Sequence, residues 1–178
     1  YYLPAVTVFD IATFGEDYLP AAAAMQRGPF RERMDAEYAK AGIQLLALFP
    51  TSYRDLASRK EIRRYEDIRG IRIRVMESPY HAEFWRNMGA NPMQLSIGEL
   101  FIALQQGFVD ASENPLDIML YGNVQEQTKY FVETRHILFN ICIFFNEELW
   151  ESLPEDYRGM IQACAEAVAA WGIANGPK

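Results

Sequence analysis

From Ile71 to Val75, apolar and basic residues alternate with a period of two. That is the signature of a short strand with Ile71, Ile73 and Val75 on one face and Arg72 and Arg74 on the other. Parallel strands of α/β proteins are covered on both faces and read as unbroken apolar runs. A strand that gives one face to two guanidinium groups therefore belongs at an edge, at a hinge or over a cleft. Gly70 precedes it, and Ser78-Pro79 follow Met76-Glu77 as the N-cap and first residue of a helix. An arginine this close to a helix N-terminus suits an anion. The competing reading is a solvated strand face, and the rest of the chain has to decide between them.

Charge distribution favours the first reading. The 178-residue chain carries a net charge of −7, which argues against nucleic acid or an anionic membrane surface as partner. Yet eight basic residues (Arg54, Arg59, Lys60, Arg63, Arg64, Arg69, Arg72, Arg74) fall between positions 54 and 74, against four acids (Asp55, Glu61, Glu66, Asp67). A small anion fits such a local excess better than a polymer. Half the residues are hydrophobic, enough for one sizeable core and part of another. No run reaches the ~18 apolar residues of a membrane span. The start at Tyr1-Tyr2-Leu3-Pro4 and the end at Gly176-Pro177-Lys178 read as those of a fragment or processed chain. Cys142 and Cys164 are expected as buried free thiols.

Along the chain, Ala5–Phe9 reads as a strand, and Asp10 to Gly28 as a turn-and-helix region with a start at Pro20. Pro29 opens a helix with Phe30, Met34 and Tyr38 at spacing four and Gly42 as its stop. Ile43–Phe49 is a strand buried on both faces, completing a βαβ pattern. Pro50–Arg54 is expected as a loop, and 55–70 as a polar connection with a helical turn at Tyr65–Ile68. The helix from Pro79 places Tyr80, Phe84 and Met88 on its stripe and His81 on its polar side, and Asn91-Pro92 turns the chain. Ser96 and Glu99 have capping-box spacing, with Leu100, Phe101 and Leu104 on that helix and Gly107 closing it. Phe108-Val109 reads as a short strand delivering a loop, Asp110–Pro115, in which Asn114 caps a helix. Tyr130–Val132 and Ile137–Phe145 are two further strands. Asn146 caps a short turn, and Ser152 with Glu155 opens the longest helix, whose stripe is Tyr157, Met160, Ile161, Cys164, Val168 and Trp171.

There is no Gly-rich phosphate loop, HExxH or CxxC, and the two histidines lie without a ligand cluster, so no cofactor and no metal are expected. Cys142 beside His136 has the residue types of a thiol nucleophile, but its apolar flanks favour an inert thiol. What remains is a set of polar groups at strand ends: Arg54, Arg74, Glu113 and Asn114. Guanidinium forks and an amide suit recognition of a carboxylate better than bond breaking.

These residues resemble the periplasmic solute-binding subunit of TRAP transporters, the DctP type. The similarity runs through Tyr53-Arg54, Glu66-Asp67-Ile68-Arg69-Gly70-Ile71-Arg72-Ile73-Arg74-Val75, Ser78-Pro79 and Gly89-Ala90-Asn91-Pro92. It continues through Glu99–Gln105, Val109-Asp110-Ala111-Ser112-Glu113-Asn114-Pro115 and Trp150–Asp156. Ala111 and Ser112 depart from the family's common Gly and Gln. The resemblance implies an α/β fold, a periplasmic-binding-protein-like two-lobed clamp of the class II type, here lacking N-terminal and C-terminal portions. Residues of about 75–140 would form mainly the second lobe, and the flanking segments the first lobe and hinge. By the same resemblance Arg74 takes the place of the carboxylate-gripping arginine, Arg54 that of a second pocket arginine and Asn114 that of the pocket asparagine. Met76, Glu77 and Ser78 fall where side chains vary with ligand, and Glu113 adjoins Asn114.

The function so implied is an extracytoplasmic, periplasmic binding protein, not an enzyme and expected as a monomer. It would capture a small organic-acid anion and deliver it to membrane permease subunits. The alternative from another class is an enzyme processing an anionic small molecule on a similar scaffold, with Glu77, Glu113 or His136 as base. A third is the ligand-sensing module of a receptor.

Overall fold

The computed structural model describes residues 3–13 and 17–176. The described residues divide into two compact units: 3–9, 17–52 and 138–176 in one, and 10–13 with 53–137 in the other. Two long strands, β1 (Ile43–Ser58) and β5 (Tyr130–Asn146), each contribute a part to both units.

The first unit opens on the 3₁₀ helix Pro4–Asp10, whose last residue passes into the second unit and which stands in place of the strand expected for Ala5–Phe9. Pro4 removes a ladder donor, and Thr7 Oγ1 turns back to donate to Pro4 O, a local bond that competes with extended pairing. Helices α1 (Leu19–Gln26) and α2 (Pro29–Ala39) follow, the latter with Met34 and Tyr38 buried as their spacing predicts. These pack with Met25, Leu45 and Leu48 into one cluster. Leu46, Ala47 and Phe49 join Ala165 and Ala169 in another, so β1 is covered on both sides here. Asn146 Oδ1 accepts from Leu149 N and caps α6 (Glu147–Ser152) as anticipated.

The long helix α7 (Glu155–Asn175) departs from expectation twice. Ser152 Oγ donates to Leu149 O rather than forming a capping box, and Pro154 stands at the N-cap. Its buried face is Ala165, Ala169 and Gly172, while Tyr157, Met160, Cys164, Val168 and Trp171 are exposed. Small residues let the helix approach β1 closely, which a stripe chosen for bulk cannot reveal. Both cysteines are free, but Cys164 is exposed and Cys142 half-buried.

In the second unit, strands β2 (Arg72–Val75), β3 (Asn91–Gln94) and β4 (Ala111–Asn114) join β1 and β5 in the order β3-β2-β4-β1-β5. β2 runs parallel to both β3 and β4, and β4 runs antiparallel to β1. Four boundaries differ from the sequence reading. Pro50–Arg54 is strand, because β1 continues to Ser58. Asn91-Pro92 is the start of β3 rather than a turn. The strand read at Phe108-Val109 lies at Ala111–Asn114, where a loop was expected, and the two strands after Tyr130 are one. Gly70, with φ +73, makes the left-handed turn into β2, and its N–H donates to Gly89 O at 2.8 Å.

Helix α3 (Pro79–Asn87) starts at Ser78-Pro79 as expected, but buries His81, Ala82 and Trp85. Tyr80 is exposed, and Phe84 and Met88 are half-buried. Trp85 and Ala82 pack on Leu56, Ile73, Val75 and Ala111. Helix α4 (Ile97–Gln105) carries the anticipated capping box: Glu99 Oε2 accepts from Ser96 N at 3.0 Å and from its hydroxyl at 2.6 Å. Its Leu100 and Leu104 form a second cluster with Ala57, Val109 and Met119, the last from α5 (Leu116–Tyr121).

Candidate anion-binding site

Strand register assembles the site within the second unit. Arg74 stands opposite Ser112 across the β2–β4 pair, and Asp55 and Leu56 of β1 stand opposite Asn114 and Glu113. Because side chains alternate, Glu113 shares the face of Ala111, Ile73 and Leu56. Arg54, two residues before Leu56, falls on that face as well. Arg74 and Asn114 lie at the carboxyl ends of the parallel strands β2 and β4, where open α/β sheets present ligands.

Arg54 and Glu113 are both buried and meet through two parallel bonds, Nε to Oε2 at 2.6 Å and Nη2 to Oε1 at 2.9 Å. Nη2 also donates to Glu113 O and to Asn114 Oδ1, while the Asn114 amide nitrogen donates to Ser112 Oγ at 3.0 Å. Two imidazoles complete the surroundings of Glu113. His81 Nδ1 lies 3.1 Å from Oε1 and His136 Nε2 3.4 Å from Oε2. Burial penalises the Glu113 charge, but the Arg54 field, the nearby His136 and bonds from His81 and Arg54 hold its carboxyl far below the usual carboxylate range.

Further contacts fix those imidazoles. Phe84 stacks on His136 with ring centroids 5.4 Å apart, and Trp85 meets it edge-on at 5.2 Å. The chain reaches His136 through Arg135, whose φ of 43 is left-handed and whose N–H donates to Asp55 Oδ1 at 2.8 Å. His81 Nε2 lies 3.5 Å from Asp10 Oδ1, and Asp10 Oδ2 accepts from Ser78 Oγ at 2.8 Å. Asp10 is half-buried; burial raises its carboxyl, yet the neighbouring His81 and the bond from Ser78 bring it below its ordinary value.

Arg74 is 4% exposed. Its Nε donates to Leu95 O at 2.8 Å, and it pairs with no carboxylate among the described residues. Burial lowers its pKa; the Glu113 charge opposes this most, the Arg54 charge adds to it, and Glu77 and Glu99 pull the other way. The alternation that put Arg72 and Arg74 on one face hides a difference between them. Arg72 is exposed and bonded to Asp110 through Nε and Nη2.

Of the residues anticipated from the sequence, the structure thus joins Arg54, Glu113 and Asn114 by direct bonds. Arg74 shares the sheet face of Ser112 and Asn114 and feels the Glu113 and Arg54 charges, Ser78 is engaged by Asp10, and Glu77 is exposed. His81, expected in solvent, is 1% exposed and central, and Asp10 escapes the sequence reading altogether. A stripe phased on Trp85 instead of Tyr80 turns His81 inward. An apolar groove lined by Leu116, Met119, Leu120, Val124, Tyr130 and Phe131 shares no residue with this cluster. Among the described residues no set of His, Cys, Asp and Glu is placed to hold a metal ion, and no helix is long and apolar enough to cross a membrane.

Comparison with known proteins identifies the family of the chain. Residues 2–175 match the family model described as bacterial extracellular solute-binding protein, family 7, DctP. A solute-binding protein of Roseobacter denitrificans is 33% identical over 129 residues, covering 72% of this chain and 40% of its own. The C4-dicarboxylate-binding periplasmic protein DctP of Rhodobacter capsulatus is 27% identical over 170 residues, 94% of this chain and 51% of that protein. Among solved structures, a TRAP periplasmic solute-binding protein from Desulfovibrio salexigens with bound orotic acid superposes with a TM-score of 0.87 at 32% identity. The match covers 97% of this chain and 55% of that one. The chain therefore spans about half the length of the relatives it matches. They are binding proteins, not enzymes, and they share its α/β fold over that span. The chain belongs to the bacterial extracellular solute-binding protein family 7, the DctP family of TRAP transporter binding proteins.

Proposed function

We propose that the protein captures a small organic-acid anion in the periplasm and passes it to the membrane permease subunits of a TRAP transporter, with Arg74 gripping the ligand carboxylate. Arg54 and Asn114 shape the site beside it, and Glu113 holds Arg54 in place. One observation carries this reading: a buried guanidinium lacking a carboxylate partner among the described residues, next to a second guanidinium already neutralised by Glu113. Leaving a cation desolvated and unpaired costs several kcal/mol, which an arriving carboxylate offsets. Charge-assisted bonds each contribute roughly 1.5–3 kcal/mol, and a site built for them rejects a neutral analogue. The names of two relatives point the same way, one binding C4-dicarboxylates and one holding orotic acid. Glu77 and Ser78 belong to the part of the site where ligand selectivity is tuned.

The enzymatic alternative has little support in the geometry. Glu113, its best-placed base, is bonded to Arg54, near two imidazoles, and held strongly acidic.

A thermal-shift screen of the full-length protein against an organic-acid library tests the reading. A ligand at 100 times its Kd adds about 2.7 kcal/mol to folded-state stability. The expected result is a raised Tm with one or more carboxylates and none with their amides. No shift across mono- and dicarboxylates, 2-oxo acids, sugar acids and uronates would overturn it.

A further inference from the structure

We propose that His81 is a positioning residue that keeps a buried proton between Asp10 and Glu113, and so holds Glu113 and Arg54 in register for the ligand; its functional consequence rests on the anion-binding reading above. The balance is one of donors and acceptors. Nδ1 lies 3.1 Å from Glu113 Oε1, and Nε2 lies 3.5 Å from Asp10 Oδ1, at the long end of an ion-pair distance. An ionised carboxylate accepts and cannot donate. A neutral imidazole carries one N–H, so it satisfies one of these neighbours and turns a lone pair toward the other. Only the imidazolium serves both. His136 differs in this respect. Its Nδ1 lies 2.8 Å from the Thr134 hydroxyl, a group that donates or accepts, rather than from a second carboxylate.

Every charged group around His81 enters the balance. Asp10 comes from the end of the 3₁₀ helix, Glu113 from β4 and Arg54 from β1, while His136 from β5 touches the far oxygen of Glu113. On its own helix, the Ser78 hydroxyl donates to the Asp10 oxygen that His81 does not face. Burial and the Arg54 charge disfavour the imidazolium, but Asp10 beside Nε2 and the bond to Glu113 outweigh them and raise His81 above its ordinary value. When that proton leaves, Nδ1 keeps its N–H toward Glu113, the shorter contact, and Nε2 turns a lone pair toward the Asp10 carboxylate. His81 is then anchored on the Glu113 side alone, and the ring that braces Glu113 and Arg54 is held less firmly.

The test is histidine ring ¹⁵N NMR on the full-length protein without ligand, with His81→Gln assigning the resonances. At pH 7.5 a free imidazole, with a pKa near 6.5, is mostly neutral. His81 is expected to show protons on both ring nitrogens there, and a single-protonated ring would overturn the proposal. Asp10→Asn keeps the shape of the pairing but removes one acceptor-only neighbour. It is expected to move the His81 titration to lower pH, and an unmoved midpoint would overturn the proposal even if His81→Gln failed to fold. Exchange of the Arg54 Nε–H is expected to quicken about tenfold in Asp10→Asn above the shifted midpoint and to match wild type below it, the size of one missing charge-assisted bond. Equal exchange at all pH values would refute the positioning role. No arm needs a ligand, so these results can fail while organic-acid binding stands, and the library screen can fail while they succeed.

Discussion

Arg54 Nε and Glu113 Oε2 stand 2.6 Å apart in a pair whose side chains are 4% and 0% exposed, joined across 59 residues of chain. The pair gives the site one guanidinium with its own carboxylate, whereas Arg74 pairs with no carboxylate among the described residues. Buried pairs add little over apolar packing, but removing one member leaves the other desolvated and alone, at a cost of about 3–5 kcal/mol. Glu113→Ala is therefore expected to lower denaturant-measured stability by about that amount, with a smaller loss for Glu113→Gln, whose amide oxygen still accepts from Arg54.

Arg74 makes the opposite prediction. Its Nε donates to a backbone carbonyl, and burial already disfavours its charge. Arg74→Met keeps much of the stem and removes the cation. The ligand-free protein is expected to keep or gain thermal stability, while carboxylate binding is abolished. Arg74→Lys is expected to recover little affinity, because an ammonium lacks the two-bond fork. Calorimetric titration with the best acid from the library, alongside thermal melts of the free proteins, checks both halves.

Acid stability has an identifiable contributor at the surface end of β2. The Asp110 carboxyl is lowered from 3.8 to about 2 by its bond from the Arg72 side chain, against burial and with help from Arg72 N–H and Lys60. A carboxyl whose folded pKa is depressed stabilises the fold above its unfolded value and loses that contribution as pH falls toward the folded one. Stability is thus expected to decline between about pH 4 and 2, and Asp110→Asn to flatten that segment of the profile. An identical slope in the variant would remove Asp110 from the account.

The same residues explain how much of the site was legible. Ile71–Val75 alternation located β2, the Ser78-Pro79 pair located α3, and the Ser96–Glu99 spacing located the start of α4, because each signal is local. Arg54 reads as loop and Asp55 as polar connection, because two charges in succession forbid a buried strand unless both are satisfied. They are, by Glu113 at 59 residues' distance and by the Arg135 N–H at 80. Nothing near positions 54 and 55 announces those partners. His81 departs from its expected place for a related reason. Its helix offers two candidate stripes, and the buried one contains an imidazole whose partners, Asp10 and Glu113, lie on other elements.

Helix α7 supplies a last test, away from the ligand site and within the first unit. The stripe of bulk at Tyr157, Met160, Val168 and Trp171 faces outward, and the helix instead seats Ala165, Ala169 and Gly172 against β1. A Cβ added at Gly172 would lie 2.5 Å and 2.8 Å from two ring carbons of Phe49, itself 2% exposed. Alanine favours a helix interior over glycine by about 1 kcal/mol. Overpacking a close-packed interface costs about 1–3 kcal/mol, because the ring has no free direction in which to retreat. Gly172→Ala is accordingly expected to destabilise the protein, and Gly159→Ala, where an added Cβ meets nothing within 4 Å, to stabilise it slightly. Pairing Gly172→Ala with Phe49→Leu should recover part of the loss, since the smaller side chain clears the clash. Urea denaturation of the two single variants and the double variant measures the coupling directly.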